Sequence, residues 1–365
     1  MNGTTTLHKA LDRCVSARLT FAACRRPGAP VEIWAQRAPA LEPVEGALLW
    51  EANQVFLVAP FNLDPARVPL IRSDIELEFG LIDPDIEDLF ECRGSDAPSF
   101  GSIASTSKED FKRMVANAKT SIAAGALQKV VLSRTEVIAH RQDELPALFM
   151  ASTLAMPHGM IALVHDPDHG FWFGVSPERL VIEEEDHVQM DALAGTLPLA
   201  VAPRRAADWG TKESHEQDLV KQAIIQECRA TGLVPKVGTT EVMHAGELAH
   251  LRTVIETDLN DLPLSELVIA LHPTPAVCGT PREAAKAFIA ANEAHDRSLY
   301  AGFWGPWCPD GRTELFVNIR CLHAADGKAV VFAGAGITAD SDPDGEWKET
   351  VAKAAVLLDA IARLR

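Results

Sequence analysis

The chain has 365 residues, and its 51 Asp and Glu against 34 Lys and Arg give a formal net charge of −17. Hydrophobic residues make up 47% and charged residues 23%, which is typical of a globular protein with enough material for one large domain or two smaller ones. Nucleic acid and anionic membranes would repel so acidic a chain, so neither is an expected partner.

The N-terminus lacks a basic segment followed by an apolar run, and no apolar stretch approaches the ~20 residues that span a bilayer. We therefore expect a cytoplasmic protein. The seven cysteines are odd in number and form no C-x-x-C pair, so the sequence predicts reduced, buried thiols.

The first 100 residues give the weakest pattern, with short apolar runs separated by turns rich in Pro, Ala and Arg. Small polar residues from 93 to 107 then predict a loop or linker. We divide the chain here into residues 1–100 and 101–365, and we expect both parts to belong to one compact domain.

Clearer elements follow the linker. Ser107 and Asp110 have the spacing of a capping box, and apolar residues follow them at helical intervals. Runs of β-branched and aromatic residues, interrupted by turn residues, then predict strands and hairpins. These are a strand at 129–138, a hairpin of 161–164 with 171–175, and a hairpin of 315–322 with 329–333 around Asp326-Gly327.

Helices are predicted between these groups of strands, at 213–231, 281–293 and 343–364. Thr280 would cap the second helix, Pro281 would be its first residue and Glu283 would close a capping box. Strands joined by hairpins, with helices between groups of strands, favour an α+β fold over a parallel doubly wound sheet. Gly334 and Gly336 end a strand but lack the third glycine of a dinucleotide fingerprint, which excludes a Rossmann site there.

The predicted helices place carboxylates on unusual faces. Glu216 points in the same direction as the apolar stripe of its helix, where a carboxylate needs a cation or good hydrogen bonds. Glu346 and Glu349 lie one turn apart in the last helix, on a face shared with apolar residues and Lys353. Together the three form an oxygen-only set that suits Mg²⁺ better than zinc. A structural salt bridge, a frayed first turn or a solvated helix face would explain the same patterns.

Other polar residues belong to the predicted strands and turns. Lys129 begins a valine-rich strand, where it is either an edge lysine in water or a buried lysine able to act as a base. Glu178 lies in a turn between strands. Arg320, on a strand predicted at 316–320, and the Gly195-Thr196 pair are natural carboxylate binders, through a guanidinium and through backbone N–H groups.

Taken in order, these segments resemble the chorismate-utilising enzymes, and among them the isochorismate synthase branch. Each motif alone is nonspecific, but their order along about two-thirds of the chain is specific. The matching stretches are KVVLSR at 129–134, SPER at 176–179, LAGT at 193–196, KESHE at 212–216, HLRT at 250–253, HPTPAV at 272–277, DRSLYAG at 296–302, NIRC at 318–321, and AGAGI at 333–337 with EWKE at 346–349.

The resemblance implies an α/β sandwich with a large, mostly antiparallel sheet core and outer helices, and a site that binds chorismate with Mg²⁺. It implies that Lys129 is the base that activates water toward C2 of chorismate and that Glu178 is the acid that protonates the departing C4 hydroxyl. Glu216 and Glu349 correspond to the metal ligands, with Glu346 close by. The implied substrate-binding residues are Gly195, Thr196, His250, Ala276, Arg320, Gly334 and Lys353.

Two residues narrow the choice among relatives. Ala194 stands where the aminodeoxychorismate type carries a nucleophilic lysine, and Lys129 stands where the ammonia-using anthranilate type lacks a base. We therefore expect a monomeric enzyme that converts chorismate to isochorismate. A salicylate synthase, which would also eliminate pyruvate, and a non-catalytic chorismate-binding protein are the alternatives. The chain departs from the family in Leu197-Pro198-Leu199, where many members have an Arg-rich turn, and in Cys278, where Gly or Ser is commoner.

Overall fold

A computed structural model describes residues 2–41, 43–46, 49, 54–97, 103–309 and 311–365. Its strands, in chain order, are β1 (Phe21–Arg25), β2 (Val31–Ala35), β3 (Val55–Ala59), β4 (Leu70–Arg72), β5 (Ile75–Phe79), β6 (Lys129–Ala139), β7 (Met160–Asp166), β8 (Gly170–Ser176), β9 (Arg179–Glu184), β10 (His187–Pro198), β11 (Lys236–Val237), β12 (Glu241–Ala245), β13 (Leu248–Asp258), β14 (Gly279–Thr280), β15 (Phe303–Trp307), β16 (Thr313–Val317), β17 (Cys321–Ala325) and β18 (Lys328–Ile337). The helices are α1 (Asn2–Ser16), α2 (Asp88–Glu91), α3 (Lys108–Ala123), α4 (Leu145–Ala155), α5 (Thr211–Ala230), α6 (Leu264–Leu271), α7 (Arg282–Asn292) and α8 (Pro343–Ala362), with short 3₁₀ turns at Gln142–Glu144 and Ala206–Asp208.

The strands form two large antiparallel sheets. The first has the order β14-β6-β18-β17-β8-β7-β1-β2-β5, and the second has the order β11-β13-β10-β9-β16-β15-β3-β4, with β12 paired to β13. Helices lie between and outside the groups of strands, so the α+β prediction and the mostly antiparallel sheet core are both confirmed.

The strands of the first 100 residues are divided between the two sheets. β1, β2 and β5 extend the first sheet beyond β7, while β3 and β4 extend the second sheet beyond β15. Residues 93–97 and 103–107, on either side of the predicted domain boundary, belong to no helix or strand, and residues 98–102 lie outside the described part of the chain.

Apolar side chains fill two main layers. The larger layer combines residues of both sheets, including the fully buried Trp34, Phe56, Trp172 and Phe316. The other layer packs α1, α4 and α8 against the first sheet, through residues such as Leu11, Phe149 and Leu357. Burial contributes roughly 25 cal/mol per Å² of apolar surface, which makes these layers the main source of stability. The packed layers also hold in place the strand ends that carry the polar residues.

Most predicted helices and hairpins are present with small shifts at their ends. Ser107 caps α3 by accepting a hydrogen bond from the Asp110 backbone N–H at 3.0 Å, as its spacing predicts. The cap predicted for α7 is wrong, because Pro281 is the N-cap residue and makes no side-chain cap. Thr280 instead pairs with Lys129, since β14 adds two residues to the edge of the first sheet.

The predicted strand 315–322 is also wrong in one respect, because it is two strands in two different sheets. β16 belongs to the second sheet and β17 to the first, and residues 318–320 connect them. Arg320 therefore lies in this connection, with a left-handed φ of 49°, and not on a strand. The hairpin after it is confirmed, since β17 pairs with β18 around Asp326-Gly327.

All seven cysteines are free thiols, and six of them are buried, as the sequence predicts. None of the helices in the described ranges is long and apolar enough to cross a membrane.

Candidate active site

The candidate site is a cavity at the place where the chain passes from one sheet to the other. Glu178 lies on the connection from β8 to β9, and Arg320 on the connection from β16 to β17, so each belongs to a crossing between the sheets. The lining residues are Val131, Pro177, Glu178, Leu193, Ala194, Gly195, Thr196, Glu216, His250, Ala276, Val277, Tyr300, Ile319, Arg320, Phe332, Ala333, Gly334, Gly336 and Lys353.

All seven predicted substrate-binding residues line this cavity, together with Glu178 and Glu216. Lys129, Glu346 and Glu349 are not among the lining residues. Lys129 pairs with the lining residue Glu216 and Glu349 pairs with the lining residue Lys353, whereas Glu346 pairs with Lys212, which is not a lining residue. The structure therefore places most of the predicted set at the cavity or one ion pair away from it, although the set is scattered over more than 200 positions of sequence.

Lys129 is fully buried, with 0% of its surface exposed, which rules out an edge lysine in water. Its Nζ atom lies 3.0 Å from Oε1 of Glu216 on α5. Burial acts to raise the pKa of Glu216, but the positive charges of Lys129, Lys353 and Lys212 together outweigh it and hold the pKa below its usual value. The apolar stripe of α5 thus turns Glu216 inward, and Lys129 is the cation that its burial requires.

Two glycines of β18 make room for side chains around the cavity. A Cβ atom on Gly336 would lie 2.1 Å from Oε1 of Glu216 and 2.9 Å from Cε of Lys129. A Cβ atom on Gly334 would lie 2.5 Å from the Tyr300 hydroxyl. The two glycines at this strand end therefore allow protein side chains to approach the backbone closely.

Glu178 is 3% exposed, and its Oε1 accepts a 3.4 Å hydrogen bond from the Thr274 hydroxyl. Burial raises the pKa of Glu178 to about 8, and the nearby Asp191 carboxylate adds to the increase. At neutral pH the side chain is therefore mostly a neutral acid facing the cavity, able to donate a proton.

Arg320 and His250 form the cationic side of the cavity. Arg320 Nη2 donates to Nε2 of His250 at 2.7 Å, and its Nη1 donates to the Ala245 carbonyl at 3.2 Å. Burial holds the pKa of His250 well below its ordinary value, so the ring is neutral and Nε2 can accept. Nδ1 then carries the proton, 3.2 Å from the Thr196 hydroxyl. Burial lowers the pKa of Arg320 only to about 10, so its guanidinium stays charged.

Thr196 reaches His250 because β10 is irregular beside it. The register of β10 with β13 shifts between Ala194 and Thr196, and the intervening Gly195 has a φ of 68°. Such a bulge redirects side chains at a strand, and the left-handed φ explains why glycine stands there.

Each of the three predicted metal ligands is paired with a lysine. Lys129 Nζ lies 3.0 Å from Glu216, Lys212 Nζ lies 2.7 Å from Glu346, and Lys353 Nζ lies 2.8 Å from Glu349. Burial and the neighbouring Glu349 carboxylate raise the pKa of Glu346.

The donor set fits a magnesium ion by its chemistry, since it consists of carboxylate oxygens that already face cationic groups. As the side chains stand, however, no group of three or more His, Cys, Asp or Glu residues in the described ranges is arranged to hold a metal ion. Each of Glu216, Glu346 and Glu349 forms an ion pair with a lysine instead.

The sequence reasoning missed several residues that shape the cavity. Tyr300 lines it, stacked on Phe332 with ring centroids 5.2 Å apart, and it is the chain's one tyrosine. Arg297 is buried and donates to the carbonyls of Val277 and Val131 at 2.9 and 2.7 Å, which fixes two residues of the wall. Arg297 and Tyr300 both lie in the matched stretch DRSLYAG. An arginine three residues before an aromatic residue in that stretch is the signal that could have identified them.

Comparison with known proteins agrees with this geometry. The family model "Chorismate binding enzyme" matches residues 84–362. The vibriobactin-specific isochorismate synthase of Vibrio cholerae is 36% identical over 274 residues, which cover 71% of this chain and 68% of the relative. Isochorismate synthase DhbC of Bacillus subtilis is 35% identical over 283 residues, which cover 69% of this chain and 68% of the relative.

Solved structures agree over a longer part of the chain. The crystal structure of Bacillus anthracis DhbC, described as a 2,3-dihydroxybenzoate-specific isochorismate synthase, superposes with a TM-score of 0.77 at 26% identity and covers 95% of this chain and 97% of its own. The structure of MenF, the menaquinone-specific isochorismate synthase of Escherichia coli, superposes with a TM-score of 0.78 over 96% of this chain and 91% of its own. At 23% identity, that second likeness concerns the fold. The protein is an enzyme that belongs to the chorismate binding enzyme family, with isochorismate synthases among its relatives.

Proposed function

We propose that the protein converts chorismate to isochorismate with the help of Mg²⁺. The observation that carries this proposal is a buried, neutral glutamic acid that lines the cavity, Glu178, together with a fully buried lysine, Lys129, whose partner Glu216 lines the same cavity. A substitution of water for hydroxyl across a diene needs a base and an acid of this kind. The isochorismate synthase relatives support the same reaction.

In this mechanism Lys129 acts in its uncharged amine form, after giving up the proton that pairs it with Glu216, and it accepts a proton from the water that attacks C2 of the ring. Glu178 gives its proton to the C4 oxygen, which leaves as water while the ring double bonds shift. One water enters and one departs, so the net reaction is an isomerisation. Ala194 lines the cavity and has no nucleophilic group, which disfavours covalent capture of the ring at that position.

The dianionic substrate would meet the positive charges of Arg320 and Lys353 in the cavity. The Arg320 guanidinium is held by His250, which is itself hydrogen-bonded to Thr196, and by the Ala245 carbonyl. Glu216, Glu346 and Glu349 would hold the magnesium ion. When bound, this ion would neutralise a substrate carboxylate and stabilise negative charge during the displacement.

The direct test is incubation of the purified protein with chorismate and Mg²⁺, followed by chromatography of the products. Isochorismate is the expected product. Salicylate fluorescence without any added lyase would instead identify a salicylate synthase, and chorismate binding without turnover would identify a binding protein.

A matched pair of lysine variants tests the base. We expect Lys129→Ala to lower kcat by about 10² to 10⁴-fold, the usual contribution of a general base, while chorismate still binds in a calorimetric titration. Lys328→Ala is the control, because Lys328 also begins a strand of the same sheet but is exposed. Near-normal turnover in a folded Lys129→Ala protein, checked by circular dichroism, would refute the assignment.

A further inference from the structure

Lys212, a lysine with no part in the proposed chemistry, forms an ion pair with one of the three candidate metal ligands. It is in the first turn of α5, four residues before Glu216, so both side chains project from the same helical face. Its Nζ atom lies 2.7 Å from Oε1 of Glu346 on α8. Burial acts to lower the pKa of Lys212, but the carboxylates of Glu346, Glu349 and Glu216 together raise it. The ammonium therefore experiences the field of all three carboxylates.

The two partners in this ion pair differ in their freedom to move. The Glu346 side chain is 1% exposed, whereas the Lys212 side chain is 28% exposed. The N-cap of α5 is Gly210, which offers no side chain to cap the first turn. Lys212 can therefore swing toward solvent, while Glu346 stays buried and keeps its need for a cation.

We propose that Lys212 is a built-in competitor for the divalent cation. Its ammonium neutralises Glu346 in the metal-free protein, and it leaves when a cation binds to Glu216, Glu346 and Glu349. This inference rests on the metal site of the proposed function, and it assigns to that site an internal counter-ion. The consequence is a protein that folds without metal and binds Mg²⁺ more weakly and more reversibly than its carboxylates alone would allow.

The test is a calorimetric titration of Mg²⁺ into metal-stripped protein in the absence of chorismate. Lys212→Met removes the charge and keeps the apolar stem of the side chain. Because a dication would no longer displace an ammonium from a buried carboxylate, we expect Kd for Mg²⁺ to fall by about tenfold or more. We also expect Mg²⁺ to raise Tm further in the variant than in the unmodified protein.

Lys112→Met is the matched control. Lys112 Nζ lies 2.7 Å from Asp344 on the same helix as Glu346, but this pair does not involve the three carboxylates. Its Kd for Mg²⁺ should equal that of the unmodified protein. Lys212→Gln, which keeps a hydrogen-bond donor for Glu346 without the charge, gives the same comparison where the methionine variant does not fold.

An unchanged or weaker Kd in the folded Lys212 variant would overturn the inference. So would the absence of Mg²⁺ binding to that variant, which would remove the metal part of the proposed function as well. If the Lys212 variant binds Mg²⁺ more tightly but the unmodified protein does not turn over chorismate, the proposed reaction is refuted and the competitor role of Lys212 remains.

Discussion

At the scale of single residues, Glu178 predicts how the activity depends on pH. Its pKa is raised to about 8, first by burial and then by Asp191. A general acid acts only while protonated, so we expect kcat/KM to fall as the pH rises through about 8. The measurement is kcat/KM between pH 6.5 and 9.5 at saturating Mg²⁺.

The control for this prediction is Glu178→Gln, which keeps the size and the hydrogen bonding of the side chain but has no proton to lose. Its residual rate should be about 10² to 10⁴-fold lower and should lack the decline near pH 8. A profile of the unmodified protein that stays level through that range would contradict the role of Glu178 as the acid.

Two residues show how far the sequence alone could go at this scale. The valine-rich sequence of β6 left the burial of Lys129 open, because the two-residue strand β14 that covers the sheet edge is too short to give a pattern. Arg320 was identified as a carboxylate binder, yet its place between two sheets depends on pairing between distant strands. The chemical role of each side chain could therefore be predicted from local sequence, whereas its burial and its neighbours could not.

At the scale of elements, a glycine of β18 leaves the space that the Lys129–Glu216 ion pair occupies. A Cβ on Gly336 would contact the far ends of two flexible side chains, Glu216 and Lys129, and not rigid backbone. We therefore expect Gly336→Ala to fold while displacing this ion pair, with a loss of about tenfold or more in kcat. Steady-state kinetics and thermal unfolding of the same preparation measure the two effects.

Gly80→Ala is the control for this strand variant, because a Cβ there would meet its nearest neighbour at an ordinary 3.7 Å. Its kcat should not change. A Gly336→Ala protein with full activity would show that the Lys129–Glu216 geometry does not matter to turnover.

Helices and hairpins were the part of the fold best predicted from sequence, because their signals are local. The Ser107 cap, the hairpin at 166–170 and the limits of α8 needed only neighbouring residues. The errors at 280–283 and 315–322 arose where a distant strand decided the local conformation. There, Thr280 pairs with β6, and residues 318–320 connect two sheets.

At the scale of the whole molecule, the charge of −17 opposes the approach of a dianion. Salt screens such repulsion between separated charges, with a Debye length near 10 Å at 0.1 M. At fixed Mg²⁺, we expect kcat/KM to rise modestly, by about two- to threefold, as NaCl increases from about 20 to about 200 mM.

Stopped-flow or initial-rate measurements at low chorismate would detect this increase in kcat/KM, with kcat at saturating chorismate as the control. A marked fall of kcat/KM with salt would contradict it, and would mean that the Arg320 side of the cavity dominates the approach.

Because the strands of the first 100 residues are divided between both sheets, this enzyme cannot be shortened to the region that the family model matches. The family model begins at residue 84, yet β1, β2 and β5 cover one side of β7, and β3 covers one side of β15. A gene fragment cut to the matched region would expose the N–H and C=O groups of both strands, which invites aggregation. The smallest transferable module is therefore both complete sheets, including the first 100 residues, which carry none of the proposed reacting groups but supply strands to both sheets.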